Sequence, residues 1–245
     1  MERMDEATKT RIRDALSKSK LTVFLGGAGV SVASGIPDFR SPNGLYSRKR
    51  ADGRSYEELL SSDFFFEDPA GFYDFYWHTM VAEGAKPNAA HLALAKFERK
   101  HPLVIMTQNI DGLHQAAGSK AVYELHGSTA SYHCLNCGKK YHVDELRHEG
   151  VPICSRCGGI VKPDVVLYGE GLPEDAIDCS LRAMSQADVL LVAGTSLRVY
   201  PVAGLPRYFR GSLSVLFNAE PTPLDSMFDI IVKDDLSVAL PEVLL

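Results

Sequence analysis

Short apolar runs recur along the chain, and most of them are nearly continuous rather than alternating with polar residues. Amphipathic stretches lie before the first run and between several others; in the first stretch, Ala7, Ile12, Ala15 and Leu16 are spaced as the buried face of a helix requires. Continuous apolar strands joined by helices are typical of a parallel sheet that is covered on both faces. The pattern therefore predicts an α/β fold with a doubly wound parallel sheet. The predicted strands are residues 21–25, 103–106, 122–125, 189–193, 213–217 and 229–232.

Glycine or small polar residues follow all of these predicted strands. In open α/β sheets, ligands bind in the crevice beyond the carboxyl ends of the strands. One polar loop would be unremarkable, since loops are polar anyway, but glycine and amide chemistry at most of the strand ends favours a ligand-binding crevice. The segments are residues 26–29, 107–111, 126–127, 194–196, 218–220 and 233–235.

Two segments interrupt the alternation of strands and helices. Residues 41–100 carry a basic stretch and then an aromatic cluster at 64–77, and residues 128–170 carry two pairs of cysteines. Both segments are expected to be insertions, a helical one and a metal-binding one, that form a smaller lobe beside the sheet. The sheet domain then consists of residues 1–40, 101–127 and 171–245.

The paired cysteines indicate a metal site. Cys134 and Cys137 are separated by two residues, as are Cys154 and Cys157, and sixteen residues lie between the pairs. This spacing suits tetrahedral Zn²⁺, and four sulfur ligands leave no open position for water, so the predicted ion is structural rather than catalytic. A redox pair is the alternative interpretation.

Composition and charge exclude several classes of protein. The chain has 245 residues and a formal net charge of -5, which argues against a broad basic face for nucleic acid. No apolar run is long enough for a membrane span, and the charged start does not resemble a secretory signal. We therefore expect no membrane partner, no specific nucleic-acid partner and a location in the reducing cytoplasm.

The first glycine segment favours nucleotide binding but not hydride transfer. Gly27 and Gly29 follow a predicted strand, so the backbone there can approach a pyrophosphate closely. The sixth position of the dinucleotide fingerprint is Val32 instead of glycine or alanine, and no acidic residue ends a second strand about twenty residues later. An ordinary dehydrogenase is therefore disfavoured.

Read together, several segments resemble the sirtuin family of NAD-dependent protein deacylases. The resemblance spans nearly the whole chain in the family's order, and it implies a Rossmann-like doubly wound sheet with a small zinc-binding lobe, in agreement with the pattern above. The segments that carry it are residues 27–31, 34–40, 107–114, 124–127, 162–170 and 194–197, the four paired cysteines and Asn218.

The resemblance also implies which residues bind NAD. Those near the pyrophosphate and on the loop that covers it would be Gly27, Ala28, Gly29, Val32, Asp38, Phe39 and Arg40. The nicotinamide and its ribose would be held by Gln108, Asn109, Ile110 and Asp111. The adenosine half would be contacted by Gly194, Thr195, Ser196, Asn218, Ala219, Glu220, Asp235 and Leu236.

Two residues are the implied catalytic groups, His126 and Asn109. In the family's reaction the acyl-lysine amide oxygen attacks the nicotinamide ribose, nicotinamide leaves, and a ribose hydroxyl then loses a proton. Histidine suits that proton transfer because its ordinary pKa lies near neutrality, while an asparagine orients the ribose without adding charge. The implied products are deacylated lysine, nicotinamide and O-acyl-ADP-ribose.

An acyl-lysine protein or peptide is the implied partner, and it would pair with two strand-like edges by β-augmentation. Relatives that prefer succinyl or malonyl lysine carry a Tyr-x-x-Arg pair, but Tyr76 is followed by Trp77, His78 and Thr79, so we expect short neutral acyl groups, chiefly acetyl. Mono-ADP-ribosyl transfer and a non-catalytic nucleotide-binding module are the alternative functions. The implied substrate contacts are Val165, Val166, Leu167, Tyr168, Gly169, Glu170, Leu197, Arg198 and Val199.

Overall fold

The predicted apolar runs form a single parallel sheet. In this computed structural model, which describes residues 3–39, 44–45, 53–82 and 84–245, the strand order is β3-β2-β1-β7-β8-β9 and every neighbouring pair is parallel. The predicted α/β fold is confirmed. The strands of this sheet are β1 (Thr22–Gly26), β2 (Leu103–Thr107), β3 (Val122–Glu124), β7 (Val189–Ala193), β8 (Leu213–Phe217) and β9 (Ile230–Val232).

The strand order positions the ligand cleft. After β1 the chain builds β2 and β3 on one side, and it then crosses back to build β7, β8 and β9 on the other. The reversal lies between β1 and β7, which is where open α/β sheets bind their ligands.

Alternate residues of the four central strands, β1, β2, β7 and β8, pack into separate cores on the two faces of the sheet. Phe24 belongs to the core formed with α1, α5 and α8, whereas Val23 and Leu25 belong to the core formed with α7. Burial on both faces explains why these runs are apolar without alternation. The helices of these layers are α1 (Glu6–Lys18), α5 (Ala89–Glu98), α6 (Leu113–Ala116), α7 (Glu174–Gln186) and α8 (Leu236–Leu244).

The smaller lobe combines short helices with a three-stranded antiparallel sheet, whose order is β5-β4-β6. Phe65 and Tyr73 of the helices share one buried aromatic cluster with Tyr132, Cys134 and Val161 of the sheet. The two insertions therefore fold against each other. The elements of this lobe are α2 (Tyr56–Leu59), α3 (Ser62–Glu67), α4 (Pro69–Thr79), β4 (Gly127–Cys134), β5 (Lys140–His142) and β6 (Val161–Val165).

One predicted boundary needs correction. The helix α5 lies inside the segment 41–100 that was assigned to the insertion, yet Ala93, Leu94 and Phe97 pack in the main core with α8. Its apolar side chains cover the parallel sheet, so the insertion ends before α5.

The structure also bears on the predicted absence of a membrane span. Within the described residues, no helix combines the length and the apolar character that crossing a membrane requires. Arg40 and the basic residues 48–50 lie outside the described ranges.

Replacing Gly127 with alanine should destabilise the fold strongly. Gly127 has a φ of +74°, and an added Cβ would lie 1.8 Å from the carbonyl oxygen of Asp164 on β6. Gly150, with a φ of +60° and open space around it, is the matched control. We expect Gly127→Ala to lower the free energy of unfolding by at least about 2 kcal/mol more than Gly150→Ala, measured by urea unfolding. An equal decrease in the free energy of unfolding for the two variants would show that β4 and β6 tolerate the added methyl group.

Candidate functional site

All six carboxyl ends of the parallel sheet border one large cleft, with a volume of about 2120 Å³. Pockets for small drug-sized ligands are roughly 300–1,000 Å³, so this cleft has room for a dinucleotide and part of a peptide. Among the predicted contact residues that the structure describes, Leu197 is the one that does not line it. The predicted crevice is confirmed.

The floor of the cleft is made of backbone. An added Cβ on Gly27 would lie 2.7 Å from the carbonyl oxygen of Gly194, and one on Gly29 would lie 2.7 Å from the Gly194 Cα. The amide of Gly29 donates to the Gly194 carbonyl at 2.8 Å, and Gly194 itself has a φ of +60°. The loops after β1 and β7 therefore meet so closely that no side chain fits between them.

A buried polar chain fixes the loop after β2. The amide nitrogen Nδ2 of Asn109 donates to the Ser31 hydroxyl at 2.9 Å, and that hydroxyl donates to the Asp111 carboxylate at 2.6 Å. The other carboxylate oxygen of Asp111 accepts from the Leu113 amide at 2.9 Å. Because Asn109 and Ser31 are both buried, these bonds hold the Asn109 amide in one orientation.

Gln108 connects the ends of three strands. Its backbone amide donates to the Gly26 carbonyl at 2.9 Å, and its side-chain Nε2 donates to the Thr195 hydroxyl at 3.0 Å. Its carbonyl oxygen lies 3.1 Å from Nδ1 of His126. This residue therefore ties β1, β7 and the turn after β3 into one rigid edge.

The hydrogen bond to Gln108 determines which nitrogen of His126 is basic. A carbonyl oxygen only accepts, so Nδ1 carries the proton and Nε2 holds the free lone pair. Burial lowers the pKa of His126, and the bond to the Gln108 carbonyl opposes this in part. The imidazole is consequently neutral at neutral pH and able to accept a proton at Nε2.

One of the two predicted substrate edges is an extended segment beside His126. The amide of Val166 donates to the His126 carbonyl at 2.9 Å, directly after β6 ends. Tyr168 pairs on its other side with the small lobe, donating to the Leu60 carbonyl and accepting from the Ser62 amide, both at 2.9 Å. The rim of the cleft is thereby joined to both lobes.

The second predicted edge is not a strand. Leu197 adopts a left-handed backbone with a φ of +50°, and its amide donates to the Thr195 hydroxyl at 3.3 Å. This turn directs the Leu197 side chain into the core, where it is 2% exposed, while Arg198 and Val199 line the cleft in an irregular loop. Because β-augmentation uses main-chain hydrogen bonds, the contact at Leu197 stays a prediction about its backbone rather than its side chain.

The far end of the cleft is formed by the loops after β8 and β9. Asn218 donates to the carbonyl of Glu220 at 2.6 Å, and Asp235 accepts from the amide of Ser237 at 2.8 Å, which caps α8. The neighbouring Asp234 accepts from the Met4 amide at 2.7 Å. The side-chain oxygens of Asp234 and Asp235 thus hold the protein's own backbone.

Sequence reasoning missed part of the apolar wall of the cleft. Tyr56, Leu60, Met80 and Val81 line the cleft, although they come from α2 and from the end of α4. Only the packing of the small lobe against the sheet brings them there, so no local sequence signal could have identified them.

The paired cysteines lie together in the small lobe. Their four sulfur atoms are within 4.8 Å of one another, and the Sγ pairs Cys134–Cys157 and Cys137–Cys154 are 3.4 and 3.7 Å apart. Tetrahedral zinc with Zn–S bonds of roughly 2.3 Å requires sulfur separations near 3.8 Å, so the residues fit the ion. The Tyr141 hydroxyl donates to Cys154 Sγ at 3.1 Å and supports this ligand from outside the cluster.

Comparisons with known proteins agree with this architecture. A family model described as "Sir2 family" matches residues 27–201. The chain is 48% identical over 236 residues to the NAD-dependent protein deacetylase of Clostridium acetobutylicum, covering 95% of this chain and 96% of that protein.

Solved structures give the same result. A Sir2 structure with a deacetylated p53 peptide and 3'-O-acetyl ADP ribose has a TM-score of 0.85 at 39% identity, over 96% of both chains. A Sir2 structure with a p53 peptide and NAD+ has a TM-score of 0.83 at 39% identity, over 95% of both chains. Since the family model spans well over half of the sequence and a relative shares nearly half of its residues from end to end, the chain belongs to the Sir2 family.

Proposed function

We propose that this chain is an NAD-dependent protein-lysine deacetylase, which converts acetyl-lysine and NAD into lysine, nicotinamide and O-acetyl-ADP-ribose. The observation that carries the proposal is the position of His126, whose free Nε2 belongs to the same cleft as Asn109 and the glycine floor. The relative from Clostridium acetobutylicum carries the name of this activity. Of the two solved Sir2 structures, the first contains products of this reaction and the second contains its co-substrate NAD+.

The residues of the cleft fit NAD. Bound NAD supplies a ribose carbon from which nicotinamide departs and a ribose hydroxyl that receives the acyl group. Gly27 and Gly29 offer a floor without side chains for the pyrophosphate, and the fixed amide of Asn109 orients the ribose. Asn218 and the residues at the start of α8 lie at the end that suits the adenosine half.

His126 removes the proton that completes the exchange. Its Nε2 accepts a proton from a ribose hydroxyl, and the Gln108 carbonyl, which accepts from the Nδ1–H group, stabilises the imidazolium that results. A neutral base is available at neutral pH because burial keeps the pKa of His126 below its ordinary value.

Apolar residues shield the reacting centre from water. Phe39 and Ile110 line the cleft and pack against the aromatic cluster of the small lobe. A site screened in this way limits hydrolysis of a positively charged ribose carbon. The loop that carries Phe39 is thereby connected to the zinc-binding lobe.

The acyl group is short and neutral in our proposal. Among the cleft-lining residues that the structure describes, Arg198 is the only arginine or lysine, and it lies in the irregular loop after β7. Tyr76 is fully buried and does not line the cleft. Within the described part of the lining, a succinyl carboxylate would find no lysine or arginine other than Arg198, which favours acetyl-lysine.

The cysteine cluster holds a structural zinc ion in this proposal. Cys134, Cys137, Cys154 and Cys157 supply all four ligands, and they lie in the small lobe outside the cleft lining. We also infer that the protein acts in the cytoplasm, because closely spaced free thiols remain available for a metal in a reducing compartment.

Incubation with NAD and a panel of acylated peptides tests the proposed reaction. We expect nicotinamide release and soluble O-acetyl-ADP-ribose with acetyl-lysine peptide, and slower release with the succinyl peptide. Adenine-labelled NAD leaves its label in solution if the protein is a deacetylase. Label retained on protein would instead establish ADP-ribosyl transfer, and absence of nicotinamide release would leave only nucleotide binding.

Replacing His126 with alanine should remove catalysis while NAD binding persists. The expected loss in kcat is at least about 100-fold, because general-base catalysis is typically worth that much. Isothermal titration with NAD checks binding, and peptide turnover checks activity. Undiminished deacetylation would remove His126 from the role of base.

The pH profile of the wild-type protein gives a second readout of the same residue. Protonated His126 cannot accept a proton, so the rate should fall as the pH drops through its pKa. Burial lowers that pKa, and the acidic half-maximum of kcat/KM should therefore lie below about 6.5. An acidic midpoint above that value would contradict a buried neutral base.

Removing one cysteine ligand should release zinc and destabilise the small lobe. Metal binding and folding are coupled, so Cys134→Ser should lower the free energy of unfolding by at least about 3 kcal/mol. Cys179→Ser, at a free cysteine outside the cluster, should keep both zinc content and stability. Metal analysis and thermal unfolding measure the two effects. Full stability of Cys134→Ser without metal would refute the structural role.

A further inference from the structure

Lys162 places an ammonium group inside the protein beside the substrate rim. Its side chain is 7% exposed, and Nζ donates to Glu170 Oε2 at 3.1 Å and to the carbonyls of Pro163 and Val165 at 3.2 Å. The three hydrogens of the ammonium group thus have three acceptors, and the Phe65 ring centroid lies 5.9 Å from Nζ. A buried cation persists only when it is paired and hydrogen-bonded in this way.

Glu170 uses the same carboxylate oxygen to close a turn. Oε2 accepts from the Leu167 amide at 2.9 Å, and the Glu170 amide donates to the Leu167 carbonyl at 2.9 Å. Gly169, inside this turn, has a φ of +94°. The carboxylate is therefore engaged within the chain itself.

The turn continues the segment that borders the cleft. Val166 is bonded to the His126 carbonyl, and Tyr168 is bonded to Leu60 and Ser62. Between these fixed points, the backbone at Leu167 is held by Glu170, which is held in turn by Lys162. A change in the ion pair therefore alters the course of the rim where a peptide would pair.

We propose that Lys162 is a positioning residue for the acyl-lysine peptide, and that it acts through Glu170. The ion pair fixes the turn at 167–170 and thereby holds the backbone of residues 165–168 in the course that β-augmentation requires. Glu170 contributes by closing the turn rather than by contacting the peptide through its charge. This inference rests on the proposed deacetylase function.

Lys162→Met tests the inference through separate Michaelis constants for peptide and NAD. Breaking a buried ion pair leaves the partner charge uncompensated, so we expect the KM for acetyl-lysine peptide to rise about tenfold. The KM for NAD and kcat should stay within about twofold, since no bond of Lys162 reaches Asn109, His126 or the glycine floor. Lys162→Arg, which retains the cation, should restore most of the peptide affinity.

Lys9→Met is the matched control for loss of a nearly buried lysine. The Lys9 side chain is 11% exposed, and its Nζ lies 2.9 Å from Oε2 of Glu242 in an ion pair that joins α1 to α8. This variant should lower the melting temperature while the KM for peptide remains that of the wild type. A rise in peptide KM equal to that of Lys162→Met would show a general effect of lost stability and overturn the inference.

If Lys162→Met fails to fold, Glu170→Gln tests the inference instead, because the neutral amide fills the same space but no longer forms an ion pair with the buried Lys162. We expect a similar rise in KM for peptides with neutral and with basic residues beside the acetyl-lysine. A rise in KM confined to basic peptides would show direct contact with Glu170 and refute the inference.

The failure of this inference and the failure of the proposed function give different results. An inactive wild-type protein would disprove the proposed function, whereas an active wild type with unchanged peptide KM in folded variants would disprove only this inference.

Discussion

Two chain segments meet backbone to backbone at the centre of the sheet, and the position of the whole cleft depends on that contact. Gly27 and Gly29 follow β1, Gly194 follows β7, and their separation leaves no space for a methyl group. The contact lies where the strand order reverses, so the sheet topology and the glycine positions define the same point. Asn109, Gln108 and His126 then approach this point from the neighbouring strands.

Two titratable side chains, His126 and Lys162, are buried near the cleft, and they differ in the hydrogen bonds that they make. His126 loses part of its hydration and gains one carbonyl partner, so the neutral imidazole is favoured. Lys162 is also buried, and its side-chain nitrogen donates to one carboxylate and two carbonyls. One group is thereby ready to accept a proton, while the other is restricted to a structural bond.

Much of the fold could be predicted because its signals are local. Buried parallel strands require continuous apolar runs, and two cysteine pairs two residues apart suit one tetrahedral ion, so both were evident from the sequence. The position of α5 could not be predicted, because its apolar face would suit either lobe equally well. Leu197 was assigned to the substrate rim, but its left-handed backbone, which the sequence pattern does not reveal for a leucine, points the side chain inward. The Lys162–Glu170 pair joins residues eight positions apart across a turn, and neither charge indicates its partner in advance.

The aromatic cluster that joins the two insertions connects the cysteine site to the wall of the cleft. Trp77 and Tyr132 stack with ring centroids 5.8 Å apart, and Cys134 is buried in the same cluster. Phe65 of the same cluster lies on α3, and Ser62 at the start of this helix donates its amide hydrogen to the Tyr168 carbonyl at the rim. Oxidation of the thiols would therefore loosen the small-lobe wall of the cleft, including the loop that carries Phe39, while the glycine floor, which belongs to the parallel sheet, stays in place.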